Sequence, residues 1–321
     1  MQNYAPKDKC LWDAWFIEKD DEIHMFHLQA KWPEKQEDRH DDNVEIGHAV
    51  STDLIEWTEL PTALKPGSKG EWDDLALWTG SVIKKDNTYY MFYTARTKTE
   101  QYVQRIGIAA SIDLINWTKH PANPILEADK EFYQMENQLN ELDTVPAWRD
   151  PYVFKHPNED KYYMTISARA KGPRNSYNGC IAIAESTDLL NWKVLPPIIS
   201  PFLYEEMETT QVIFHKGKVY LFFSTHKSGY SPEHAEKYPP TSGLHGYVAD
   251  TLFGEYTPLN DYGLVYGHGY DLYDIRLIPK DKDSDEFTAI AWLNKDKDGN
   301  FIGRLTHPFT IVIQGDKAFK P

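Results

Sequence analysis

Trp148-Arg149-Asp150-Pro151-Tyr152-Val153-Phe154 opens the clearest copy of a unit that recurs five times along the chain. Each copy starts with a short run ending in apolar residues: Trp15-Phe16-Ile17, Gly80-Ser81-Val82-Ile83, Tyr152-Val153-Phe154, Gln211-Val212-Ile213-Phe214 and Arg276-Leu277-Ile278. A charged turn and an aromatic-rich run such as Tyr89-Tyr90-Met91-Phe92-Tyr93 follow. Aligning Met25, Met91, Met164, Leu221 and Ala289 gives intervals of 66, 73, 57 and 68 residues. A third element repeats from Gly47 to Trp57, Gly107 to Trp117 and Ile181 to Trp192, ending in runs such as Ser51-Thr52-Asp53-Leu54-Ile55-Glu56-Trp57, with a degenerate fourth from Gly246 to Tyr256. Self-similarity of this kind marks one supersecondary unit repeated. The units are β-type runs split by turn residues, without useful helical periodicity. The expectation is an all-β fold: a five-bladed β-propeller with four antiparallel strands per blade.

The repeats run from Trp12 to about Thr310, so the 321 residues are expected to form one domain. Aromatics make up 14%, with 10 Trp and 20 Tyr, which suits wide blades and sugar-stacking surfaces. A net charge of −15 argues against nucleic acid or an anionic membrane as partner. Cys10 and Cys180 are too few for a disulfide framework and lack metal-ligand spacing. No apolar stretch reads as a signal core or a membrane span, so a soluble, cytoplasmic protein is expected. His24, His27 and His48 fall in strands without zinc-like spacing, and a core role is expected for them. Acidic runs at Asp41-Asp42, Asp73-Asp74 and Asp281 to Asp285 lack an ordered calcium pattern; no metal and no cofactor are expected.

In a meander the connections alternate between two faces. The short charged turns fall on one, and the long irregular segments, including 31–45, 61–77, 121–147, 227–245 and 260–269, on the other. Binding is usually built where such loops gather on a rigid scaffold. The first strand of each blade is innermost and starts on that face. Asp13, Asp150 and Asp274 each sit four residues before an apolar strand end, and Glu208 six before Phe214. Even offsets place all four on one side of their strands, aimed at the central funnel. Singly, each acid could be an ordinary turn residue; a shared register in separate repeats is harder to obtain by accident.

These residues also resemble a known family. Gly47 to Leu64, containing Ser51-Thr52-Asp53-Leu54-Ile55-Glu56-Trp57, is similar to a signature of glycoside hydrolase family 32, and Arg149-Asp150-Pro151 to a motif that family shares with family 68. Trp78-Thr79-Gly80-Ser81 resembles their small-residue substrate-binding segment, Tyr270-Asp271-Leu272-Tyr273 an Asp-Phe-Tyr segment, and Leu305-Thr306-His307-Pro308 the motif closing the family 32 propeller. Leu11-Trp12-Asp13-Ala14-Trp15 is closer to family 68, and Glu208 is followed by Thr209-Thr210 rather than Cys-Pro. The C-terminal β-sandwich of family 32 is not represented in the 321 residues.

The resemblance implies retaining cleavage of β-fructofuranosides, sucrose or fructans. Asp13 would be the nucleophile, Asp150 the transition-state stabiliser and Glu208 the acid/base, with Glu205 and Glu206 as neighbouring alternatives. Arg149 would hold the sugar or tune the acids, and Trp12, Gln29, Trp78, Ser81 and Asp271 would be sugar contacts. Clustered carboxyls raise at least one pKa by repulsion, and Arg149 is expected to keep Asp150 ionised. The implied partner is a small sugar or oligosaccharide, and the oligomeric state stays open. Rival readings are an inverting arabinosidase or xylosidase of family 43 type, a fructosyltransferase, a non-catalytic carbohydrate-binding propeller and a protein-interaction platform. The Tyr230 to His245 loop is expected to act as a lid or partner contact.

Overall fold

A computed structural model describes residues 3–32, 43–267, 272–281 and 283–321. Five sheets follow one another along the chain, each built from one contiguous segment and ordered as a meander. Their first strands are Lys9–Lys19, Ala76–Lys85, Trp148–Lys155, Glu208–His215 and Leu272–Pro279. These five pack against one another around the axis, as an innermost ring must. Blades 1 to 3 have four strands each. In blade 4 the outer strand is split into Thr257–Pro258 and Leu264–Tyr266, both pairing with Gly243–Ala249. In blade 5 the third strand is split into Phe301–Leu305 and Phe309–Gln314, both pairing with Glu286–Lys295. Pro308 sits at that break, where a proline cannot donate to the ladder.

The repeated Ser-x-Asp-Leu element is the turn between third and fourth strands. Ser51 Oγ donates to Asp53 Oδ1 at 3.0 Å, and the same oxygen accepts the amides of Ile55 and Glu56 at 2.8 and 2.9 Å. The turn recurs around Asp113 and Asp188. Leu54, Leu114 and Leu189 take positive φ in it, a conformation the side-chain bridge has to hold. The following tryptophans stitch neighbouring blades: Trp117 meets Phe26 edge-on at 5.5 Å and Trp192 meets Phe92 at 5.6 Å. Such pairs add about 0.5–1.5 kcal/mol each beyond buried area.

His24, His27 and His48 are buried core residues of blade 1, with His24 Nδ1 2.9 Å from His48 Nε2. Cys10 and Cys180 are likewise buried. Among the described residues no helix is long and apolar enough to cross a membrane, and no cluster of three His, Cys, Asp or Glu side chains could hold a metal. In the 230–245 segment, expected as a lid or partner contact, Tyr230, His234 and His245 are buried around Tyr204, with ring centroids 5.1–5.7 Å apart, which anchors the segment on blade 4.

Candidate active site

Every first strand carries an irregularity at the same level, where one residue is inserted against the second strand. The pairs at that level are Trp12-Asp13, Trp78-Thr79, Arg149-Asp150, Glu208-Thr209 and Tyr273-Asp274. They form two stacked rings: a ring of large side chains at the mouth, and one of Asp and Thr a step deeper. Asp13, Asp150, Thr209 and Asp274 take φ of 35°, 59°, 52° and 47°. Asp tolerates this left-handed region; a β-branched Thr does not, so blade 4 stores strain there. The even-offset expectation is thereby corrected. Ile213, not Phe214, lies opposite Tyr220 as Phe154 lies opposite Tyr163, so Glu208 stands in the mouth ring beside Arg149 rather than in the ring of Asp13 and Asp150.

The funnel at this level is a cavity of about 480 Å³ lined by Trp12, Asp13, Trp78, Arg149, Asp150 and Glu208, together with Arg96, Asp143–Val145, Glu206 and His226. That volume suits a ligand of disaccharide size. Asp13 Oδ2 accepts from Thr79 Oγ1 at 2.6 Å and its Oδ1 from Trp292 Nε1 at 2.9 Å. Asp150 Oδ2 accepts the Ser167 hydroxyl at 3.1 Å and the Thr209 amide at 3.0 Å. Glu208 Oε1 accepts from Arg149 Nη2 at 2.7 Å, and its Oε2 accepts the Tyr273 hydroxyl. Tyr273 in turn stacks on His226 with centroids 4.0 Å apart.

Burial, then the neighbouring Asp274, pushes the Asp13 carboxyl up to about 7. Burial also raises Asp150 to about 7, with Arg149 opposing and Glu208 and Asp13 adding to the rise. The expectation that Arg149 keeps Asp150 ionised is corrected here, because the guanidinium spends its hydrogen bonds on Glu208 and Glu206. Glu208 moves the other way. Burial raises it, but Arg149, His226 and the Tyr273 hydroxyl outweigh that and leave it below its ordinary value. Glu205 is a different kind of residue: buried, paired with Arg169, and accepting from Asn140, Thr144 and the Tyr177 amide, it anchors the loop that supplies Asp143 and Thr144 to the rim.

Trp12, Trp78 and Arg149 line the funnel as expected from their motifs, with Arg96 stacked 4.6 Å over Trp78. Two expected sugar contacts lie elsewhere. Gln29 is buried in blade 1, its amide donating to Glu45 and Thr62. Ser81 lines a separate lower cavity of about 360 Å³, and its hydroxyl accepts the Val153 amide across the blade boundary. In the same segment a Cβ on Gly80 would stand 2.0 Å from the Phe92 carbonyl, so these small residues serve close approach of strands. Asp271 lies outside the described residues. Tyr273, His226, Thr79 and Trp292 were missed; aligning the five bulges, rather than the apolar strand ends, is the signal that finds Tyr273 and Thr79.

A propeller whose axis presents clustered carboxyls from several blades, with an arginine and tryptophans around them, is the architecture of a glycosidase-type enzyme. Residues 14–310 match the glycosyl hydrolases family 32 N-terminal domain. The chain belongs to that family. Among characterised relatives, levansucrase Lscbeta of Pseudomonas syringae pv. actinidiae is 29% identical over 306 residues, 85% of this chain and 64% of that protein. The levansucrase of Erwinia amylovora is 28% identical over 225 residues, 61% of this chain and 52% of its own. The chain thus spans about half to two-thirds of the length of these relatives. By structure, an inulosucrase from Halalkalicoccus jeotgali bound to kestose superposes with a TM-score of 0.81 at 24% identity, covering 99% of this chain and 89% of that one. A Bombyx mori family 32 β-fructofuranosidase gives 0.69 at 21% identity, covering 98% and 64%. These structural likenesses concern the fold.

Proposed function

We propose that the protein cleaves β-fructofuranosides of the sucrose type with retention of configuration, through a covalent fructosyl ester on Asp13. The observation that carries this is the convergence of Asp13, Asp150 and Glu208, from three different blades, on one cavity of disaccharide size. Retaining chemistry needs one carboxylate to attack and a second carboxyl to protonate the leaving oxygen. Asp13, fixed by Thr79 and Trp292, attacks the anomeric carbon. Glu208 gives its proton to the departing glycosidic oxygen and then takes one from the incoming hydroxyl as the ester is broken. Asp150 stabilises the positive charge that develops on the sugar ring.

The surroundings of the three acids favour the proton on the Asp13–Asp150 side, the reverse of what the first step needs. Arg149 provides the switch. When sugar hydroxyls draw its guanidinium away, Glu208 loses its largest stabilising charge and its pKa rises toward that of an acid. The fructosyl group then passes to water or to a sugar hydroxyl. The names of the relatives, both levansucrases, support sucrose as donor and leave both fates in play.

The test is incubation with sucrose, following glucose and free fructose separately, with Asp13→Ala alongside. Release of glucose by the wild type and its loss in the variant support the proposal. Glucose in excess of fructose reports transfer, equal amounts report hydrolysis, and an inverted product from an arabinoside or xyloside with no action on sucrose overturns it.

A further inference from the structure

Among the described residues blades 5 and 1 close the ring without exchanging a strand, each being made from its own end of the chain. The seam between them falls at Asp13. Across it, Ala14, the residue after Asp13, is held on both sides of its backbone. Its amide donates to Asp274 Oδ2 at 2.6 Å, and its carbonyl accepts from Arg276 Nε at 3.2 Å. Asp274 Oδ1 and Arg276 Nε are themselves 2.6 Å apart, and Arg276 Nη1 donates to the Thr210 carbonyl at 3.0 Å, which ties the clamp to blade 4. Asp274 and Arg276 are both buried, and a buried ion pair is retained at a cost unless it does something specific.

We propose that Asp274 and Arg276 are positioning residues, a cross-blade clamp on the Ala14 backbone that fixes the left-handed turn at Asp13 and so aims the nucleophile. The inference rests on the proposed role of Asp13. Without the clamp the peptide can rotate back toward ordinary strand geometry, because φ of 35° at Asp13 is unfavourable for an L residue. That rotation carries the carboxyl away from the reacting carbon, and a displacement of about 1 Å is enough to lose on the order of 100-fold in rate.

Two variants separate aiming from folding. Asp274→Gly removes the acceptor at a position whose φ of 47° suits glycine, so the backbone itself is not strained. Asp274→Asn keeps an oxygen for the Ala14 amide, while it removes the charge and turns an amide nitrogen toward Arg276 Nε. Asp274→Gly is expected to lower kcat about 100-fold with KM within about 2-fold, and to speed hydrogen exchange in peptides containing Ala14. Asp274→Asn is expected to keep the exchange protection and restore kcat to within about 10-fold of wild type. The groups facing Asp13 are Asp274, Arg276 and Tyr273 from blade 5, Glu208 from blade 4 and Asp150 from blade 3. Removing the Asp274 charge should therefore move the acid limb of kcat/KM to lower pH, an effect a merely structural residue would not produce. Unchanged exchange at Ala14 in Asp274→Gly overturns the clamp whatever the activity. A wild type that acts on no fructoside overturns the functional reading instead, and exchange alone then decides the clamp. Normal exchange protection with loss of kcat in Asp274→Asn would show that charge, not the clamp, is what matters.

Discussion

Asp150→Asn should make the protein more stable while removing its activity. Asp150 is buried, and its carboxyl, ordinarily near 3.8, titrates at about 7 in the folded chain. At about 1.4 kcal/mol per pH unit, full ionisation costs the fold a ceiling of about 4 kcal/mol relative to the unfolded chain. Because the charge is shared among Asp13, Glu208 and Arg149, about 2 kcal/mol is the more realistic recovery. Asparagine suits the exchange: its oxygen can still accept from Ser167 and Thr209, and it tolerates φ near 59°. The same change at Asp13 would be poorer, since both oxygens there face donors and the new amide would meet one of them. The sign follows from the direction of the shift. A raised carboxyl pKa penalises the folded state above that pKa, and the penalty disappears as pH falls below the unfolded value. Thermal unfolding should therefore show Asp150→Asn several degrees above wild type at pH 8, with the difference closing by about pH 4. No gain at pH 8, or a gain independent of pH, would refute the reasoning. Sucrose cleavage in the same variant should fall by a factor of at least about 100.

Other consequences follow from the same geometry. Tyr273→Phe removes a donor that holds Glu208 low, so the limb of the pH profile assigned to Glu208 should move up and kcat should fall about 10-fold or more, read from kcat against pH. Glu205→Ala leaves Arg169 as a buried cation short of its partner and should cost about 3–5 kcal/mol in denaturant unfolding. His27 and His245 are buried and pushed down to about 4, so each favours the neutral form. Their contribution is full above the unfolded value near 6.5 and is lost as pH falls, by about 2 kcal/mol each at pH 5. His245→Gln should be less stable at pH 8 yet lose less between pH 7 and pH 5 than wild type. Trp78→Ala removes a wall of the cavity and should raise KM more than it lowers kcat in sucrose kinetics.

The five blades were legible because the copies repeat the same local devices: an apolar strand end and an aromatic-bearing second strand throughout, and in blades 1 to 3 the Ser-x-Asp-Leu turn, whose hydrogen bonds all lie within a few residues. Asp13 and Asp150 were legible for the same reason. The place of Glu208 was less so, because an apolar strand end at Phe214 counts residues through a bulge as if the strand were regular. Gln29 and Ser81 show another limit. Their hydrogen bonds lie inside blade 1 and between blades 2 and 3, and a short sequence pattern does not say whether a polar side chain faces ligand or neighbouring backbone. The partnership of Arg149 with Glu208 rather than with the adjacent Asp150 is a contact across 59 residues, set by the closure of the ring.

The deeper ring has a further consequence that comes from arithmetic. Its residues run Asp13, Thr79, Asp150, Thr209, Asp274, so that odd-numbered blades carry acids and even-numbered blades carry hydroxyls. Such alternation separates like charges around an even ring, but five is odd, and somewhere two acids must be neighbours. They meet where blade 5 returns to blade 1, and there Asp274 is the charged neighbour that most raises Asp13. Arg276 lies at that junction too, paired with one of the acids and bonded to the backbone beside the other. The parity of the propeller thus forces one frustrated junction on the ring, and in this chain that junction is where Asp13, the carboxyl proposed to attack, sits.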